Sequence, residues 1–288
     1  MTRIERFGWR GEVTPGIGRV VSSHGDYYHL VCNEAEGEIL ARKKKSAFTR
    51  MKTLSPDSMK GKKVSEERAE QPPQPITGDF VRFRYNAQGE SLITEVLPRF
   101  SHFERKDPTA RRTVQTLAVN FDVLFLMMSL NENFSLPRLG RYLDLAADSG
   151  EAEVVTVLTK SDLPSAADIR LPADFPGPSL RISCLTGEGL DRVREYAAPG
   201  RTVAFIGSSG VGKSTLLNAL AGEAWAATQE IQEWSGKGRH TTTSRELAML
   251  PSGAMVIDTP GIREIGRLGE AEVLQAKGES THRWRRSE

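Results

Sequence analysis

Residues 201–221 constrain the fold more than any other stretch. The run from Arg201 to Ile206 reads as a buried strand, and Thr215 to Leu220 reads as the helix that follows it. Between them, Gly207, Ser208, Ser209, Gly210, Val211, Gly212, Lys213 and Ser214 fit GxxxxGK[ST] at every fixed position. Glycines at 207, 210 and 212 let successive N–H groups curl around phosphate oxygens without Cβ clashes. Lys213 would bring a point charge to the β- and γ-phosphates, and the Ser214 hydroxyl a ligand for Mg²⁺; Thr215, which opens the following helix, is also a candidate nucleotide-binding residue.

Around this loop the chain alternates strands and helices. Strands are expected at Val123–Met128, Val154–Leu158, Leu180–Ser183, Val203–Ile206, Glu246–Leu250 and Met255–Asp258, and helices at Pro137–Asp148, Leu190–Tyr196 and Lys213–Ala221. This pattern predicts a mainly parallel sheet with helices on both faces. The last two strands are joined only by Pro251-Ser252-Gly253 and should form an antiparallel hairpin.

Before about Pro98 the pattern is all-β. Five short strands are expected at 17–21, 27–31, 38–41, 80–84 and 92–97, punctuated by turns such as Thr77-Gly78-Asp79, which suggests an OB-fold barrel. A basic insertion at about 43–75 separates the third from the fourth. From Arg42 to Lys63 it carries nine basic residues against the single acid Asp57, suiting either a phosphate-rich partner or a solvated, flexible loop. The domains are therefore expected at 1–100 and 101–266, followed by a short tail at 267–288.

With 288 residues, 38% hydrophobic and 26% charged, the composition suits two domains of a soluble protein. Cys32 and Cys184 lie far apart, which argues against a disulfide framework or a cysteine zinc site. The first residues lack an apolar run, and Val123–Met128 is too short to span a bilayer, so no membrane partner is expected and the chain is read as cytosolic.

Further motifs surround the phosphate loop. Thr159-Lys160-Ser161-Asp162 resembles the base-reading [NT]KxD element: Asp162 can accept from both N1–H and the exocyclic amine of guanine, and the stem of Lys160 can lie over the base. Ser183 and Cys184 open a SAxxGxGL-like loop that would back the ring. Asp258-Thr259-Pro260-Gly261 resembles the DxxG switch, with Asp258 facing Mg²⁺ through water and the Gly261 N–H facing the γ-phosphate. Between them, Thr241 and Thr242 are candidate Mg²⁺ ligands from Gly238-Arg239-His240-Thr241-Thr242-Thr243, and Ser161 and Thr186 read as filler. In an ordinary small GTPase the base-reading motifs come last; here they precede the phosphate loop, so the order predicts a circular permutation.

From about residue 16 to Gly266, this set, with Gly18-Arg19-Val20-Val21, Gly78-Asp79 and Val96-Leu97-Pro98-Arg99, resembles the RsgA/YjeQ family of circularly permuted GTPases. The resemblance implies a circularly permuted Ras-like α/β domain behind an all-β OB-fold barrel. It further implies GTP and GDP as ligands with Mg²⁺, the small ribosomal subunit and its 16S rRNA as partners, hydrolysis stimulated by that subunit, and a cytoplasmic monomer. The family also carries a zinc subdomain of three cysteines and a histidine. After Gly261 this sequence has no cysteine and one histidine, His282, so zinc is not carried over, and a truncated end is one reading of the tail.

Where Ras-like enzymes place a water-orienting Gln after the DxxG glycine, this chain has Ile262, which cannot hydrogen-bond water. His240 is therefore the candidate catalytic group, with slow intrinsic turnover expected. Two competing readings are an RNA-binding module that responds to GTP with little hydrolysis, and an ATP-using phosphate-loop enzyme, against which Asp162 argues.

Overall fold

The computed structural model describes residues 1–44, 73–106, 114–222 and 246–258. Most of the basic insertion, His240 to Thr243, Gly261, Ile262 and the tail lie outside these residues. The chain divides into two compact units, Met1–Arg99 and Phe100–Glu288.

The first unit opens with a one-turn helix α1 (Arg3–Arg6), capped reciprocally by Thr2 and Glu5. Five strands follow: β1 (Ile17–His24), β2 (Tyr27–Cys32), β3 (Ile39–Lys43), β4 (Phe80–Arg84) and β5 (Ser91–Val96). They pair β1–β2, β2–β3, β3–β5, β5–β4 and β4–β1, which closes a barrel; only β3–β5 is parallel. This is the expected OB-fold, and closure leaves no free sheet edge. Alternate residues point inward, so Val20, Tyr28, Leu30, Cys32, Ala41, Val81, Phe83 and Ile93 form its core.

A buried ionic group supports the barrel wall. Arg19, fully buried, lies 4.8 Å over the Phe80 ring and donates to the carbonyls of Phe7 (2.6 Å) and Gly78 (3.3 Å). Asp79, also fully buried, accepts two bonds from Arg99 at 2.7 and 2.8 Å and one from the Ile76 N–H at 2.8 Å. Burial raises the Asp79 carboxyl above its ordinary value, and the Arg99 guanidinium offsets part of that rise.

The second unit begins with a hairpin that the sequence pattern did not reveal, β6 (His102–Lys106) and β7 (Val114–Val119). Next come β8 (Val123–Ser129), α2 (Leu136–Ala146), β9 (Glu153–Thr159), a 3₁₀ turn at Pro164–Ala167 and β10 (Ser179–Arg181). Helix α3 (Leu190–Tyr196), β11 (Thr202–Ile206), α4 (Lys213–Ala221), β12 (Glu246–Met249) and β13 (Met255–Asp258) complete it. The strand order is β10-β9-β8-β11-β13-β12, parallel from β10 to β13 with β12 antiparallel at the end.

Strand β8 is buried along its whole length. Its six apolar residues, Val123 to Met128, are at most 1% exposed, and such side chains contribute about 1.5–3 kcal/mol each. Helices α3 and α4 pack their apolar faces, including Val193 and Leu216, into the core cluster around Phe125 and Phe205. Helix α2, started by Ser135 as N-cap, packs against β8 and β6 and buries Leu139, Tyr142 and Ala146. At its start β8 is fastened to β11, since Asp122 accepts from the Thr202 N–H at 2.6 Å and its own N–H donates back to the Thr202 carbonyl.

Candidate functional site

Because β8, β9, β11 and β13 run parallel, their C-terminal ends meet along one side of the sheet. Ser129, Thr159, Ile206 and Asp258 are the last residues of these strands. From β8 the chain first moves outward to β9 and β10, then returns to place β11 on the other side of β8. That reversal between β8 and β11 is the kind of position at which open α/β sheets bind ligands.

The Gly207–Gly212 loop occupies it. At Gly207 a Cβ would stand 2.8 Å from the Met127 carbonyl oxygen and 2.9 Å from Val211, so only glycine lets the loop leave β11 this close to β8. Gly210 and Gly212 have φ of +75° and +100°, the left-handed region that bends successive N–H groups into a concavity. A Cβ at Gly210 would meet nothing within 4 Å, so that side of the loop is open. Lys213 begins α4, and its ammonium donates to the carbonyls of Gly207 and, at 2.9 Å, Ser208. The ammonium therefore lies along the loop. Ser214 and Thr215 are exposed in the first turn of α4, and its N-terminal dipole favours an anion there.

The base-side elements are tied to this loop. The Thr159 hydroxyl donates to the Val211 carbonyl at 2.6 Å, and its backbone carbonyl accepts from Leu130 at 2.9 Å. Lys160 follows with φ of +61°, turning the chain so that exposed Asp162 projects beyond the strand end. On the neighbouring loop, fully buried Ser183 accepts from the N–H groups of Leu185 and Thr186 through its hydroxyl, both at 3.2 Å. Burial, and then the Asp162 carboxylate, raise the half-buried Cys184 thiol above its ordinary value. Cys184 and Asp162 follow the paired strands β10 and β9, so their loops are neighbours.

Ser161 and Thr186, which read as filler in the sequence, carry part of this geometry. Ser161 donates from its hydroxyl to Glu188 Oε2 at 2.9 Å, and Thr186 Oγ1 accepts from the Glu188 N–H at 3.4 Å. Glu188 carries no signal for this contact in the sequence; the serine and the glutamate sit in separate motifs, and no spacing within either one signals a bond. The strand expected to reach Ser183 stops at Arg181, because Ser183 turns to donate to the Glu188 carbonyl.

Asp258 ends β13, one residue beyond the Ile257–Ala204 pair with β11, so its backbone stands beside the strand that launches the phosphate loop. His240, Thr241, Thr242 and Gly261 lie outside the described residues.

The sequence profile of the RsgA GTPase family matches residues 96–268. The chain belongs to this family. Its relatives include the small ribosomal subunit biogenesis GTPase RsgA 2 of Lactiplantibacillus plantarum, 41% identical over 253 residues, 86% of this chain and 66% of that protein. The RsgA of Leptospira interrogans is 35% identical over 260 residues, 88% of this chain and 65% of that protein. The chain thus spans slightly less than two thirds of the length of these curated relatives. Among solved structures, YjeQ from Thermotoga maritima superposes with a TM-score of 0.58 at 24% identity, covering 86% of this chain and 76% of its own. YloQ, described as a circularly permuted GTPase, gives 0.51 at 19%, covering 85% and 70%. Both similarities concern the fold, and the observed strand order is that of a permuted GTPase of this family.

Proposed function

We propose that this chain binds GTP and GDP with Mg²⁺ and hydrolyses GTP during maturation of the small ribosomal subunit, working in the cytoplasm as a monomer. The observation that carries the reading is the 2.6 Å bond from Thr159 to the Val211 carbonyl, which links the base-side element to the phosphate loop. The two motifs then act as one site, although 52 positions of sequence separate the bonded residues.

In this reading the N–H groups of the Gly207–Gly212 loop and the Lys213 ammonium hold the phosphates, and Thr215 closes the far side. Asp162 accepts from guanine, Lys160 covers the ring, and Ser183 and Cys184 back it. The hydroxyls of Ser214 and of Thr241 or Thr242, with Asp258 through water, form a hard oxygen donor set suited to Mg²⁺. Bound there, Mg²⁺ would neutralise charge on the phosphate oxygens. His240 orients the attacking water, since Ile262 cannot, and the Gly261 N–H meets the γ-phosphate. The barrel at 1–100 and its basic insertion bind 16S rRNA, and the domain at 101–266 is the switch. The names of the relatives support the ribosomal assignment.

Hydrolysis by the purified chain, alone and with stoichiometric small subunits, tests this, together with competition by ATP and GTP. Stimulated turnover and displacement by GTP alone are expected. Preferential displacement by ATP would sink the guanine assignment. Ile262 also favours a second reading, a GTP-responsive RNA-binding module, and GTP binding with no turnover under either condition would select it.

A further inference from the structure

Ser161 and Glu188 have no part in the chemistry above, yet they join the two loops on which base recognition would rest. A bidentate contact from a carboxylate depends on its angle, because both oxygens must face their donors together. Asp162 lies in an exposed turn, and the chain enters that turn through Lys160, a non-glycine residue in the left-handed region. Such a conformation persists only where its surroundings over-determine it. Here the Ser161 N–H donates to the Ile182 carbonyl at 3.0 Å, the Leu163 N–H to the Lys160 carbonyl at 3.2 Å, and the Ser161 hydroxyl to Glu188 at 2.9 Å. Of these, only the last reaches the SAxxGxGL-like loop through a side chain at both ends.

Glu188 is a fixed point from which to pull. It lies between Gly187 and Gly189, both with positive φ, and a Cβ at Gly189 would stand 2.4 Å from the Arg181 carbonyl oxygen. Its carbonyl accepts from the Ser183 N–H at 3.0 Å. Strand β10, which leads into this loop, is three residues long and pairs with β9 at the end of the sheet, so the loop is held chiefly by these backbone contacts. The Ser161–Glu188 bond couples that loop to the Asp162 turn, which follows the seven-residue β9.

We propose that Ser161 and Glu188 are positioning residues for guanine recognition, and that the hydrogen bond between them sets the angle at which Asp162 meets the base. The proposal rests on the guanine reading above. The decisive readout is selectivity, because general weakening of the site would lower all nucleotide affinities together. Equilibrium binding of GTP, inosine triphosphate and ATP to the full chain is measured for wild type and variants. Inosine keeps N1–H but lacks the exocyclic amine, so it reports whether both Asp162 contacts are made.

In Ser161→Ala, GTP affinity should fall about three- to tenfold, as expected for one hydrogen bond, while inosine triphosphate falls less, narrowing the ratio between them. Ser161→Thr, which keeps the hydroxyl, should restore the ratio. Glu188→Ala should match Ser161→Ala, and the double variant should be no worse than either. An unchanged GTP-to-inosine ratio in Ser161→Ala, or additive losses in the double variant, would overturn the proposal. A wild-type chain with no preference for GTP over ATP would overturn the guanine reading itself, and this proposal with it.

Discussion

In the barrel, Arg19 and Asp79 are fully buried, whereas in the second unit β8 buries six consecutive apolar residues and reaches a polar side chain only at Ser129. Among the described residues, all fully buried charges belong to the barrel. The α/β unit keeps its sheet interior largely apolar and gathers its polar groups at the strand ends, where Thr159, the phosphate loop and Asp162 lie. A small barrel has little apolar volume, and this one also uses directional bonds around Asp79. The two designs should therefore respond to different insults: the barrel to lost charge, the sheet to lost volume.

The sharpest test pairs substitutions across the units. Asp79→Ala leaves the Arg99 guanidinium without its bidentate partner and should destabilise the barrel by about 3–5 kcal/mol in denaturant unfolding. The near-isosteric Asp79→Asn should remain strongly destabilising, whereas the volume-conserving Met127→Leu in the second unit should lose less than about 1.5 kcal/mol. Equal tolerance of the two conservative changes would remove the contrast.

At the strand ends, changes should affect chemistry more than folding. Lys213→Ala should lower GTP turnover by about 10²–10³-fold while thermal unfolding stays close to wild type. His240→Ala should reduce subunit-stimulated turnover about a hundredfold with GTP affinity near normal, and equal stimulated rates in both proteins would end that assignment. Thr159→Val, which keeps the shape but loses the bond to Val211, should weaken nucleotide binding by roughly two- to tenfold.

The smallest effect concerns the thiols. Burial pushes the Cys32 thiol up to about 11 and also raises Cys184. Raised values mean less thiolate near neutrality, so alkylation of Cys184 should be slower than that of a free thiol. It should accelerate with pH through and above the ordinary value of 9.0, and bound GTP should slow it. Cys32, fully buried in the barrel core, should react only on unfolding.

Much of this architecture was legible because it repeats or is contiguous. The buried run at 123–128, the GxxxxGKS loop and the helix at Lys213–Ala221 each announce themselves within one window of sequence. The β6–β7 hairpin did not, since His102–Lys106 is a mixed polar strand without clean alternation. Cross-links between distant motifs, such as Thr159 to Val211 and Ser161 to Glu188, were also invisible. Their partners come together through parallel strand pairing, which no local spacing encodes.

The strand order also bears on how the molecule is made. As the chain emerges N-terminus first, β8 and β9 can pair at once, but the other flank of β8 belongs to β11, which begins at Thr202. At roughly 5–20 residues per second, the intervening residues 130–201 take several seconds to appear. Throughout that interval an apolar strand with unpaired backbone groups stands at the edge of a nascent sheet, the type of surface that recruits chaperones or seeds aggregation. The strand order thus leaves one flank of β8 open for as long as the chain up to β11 takes to emerge.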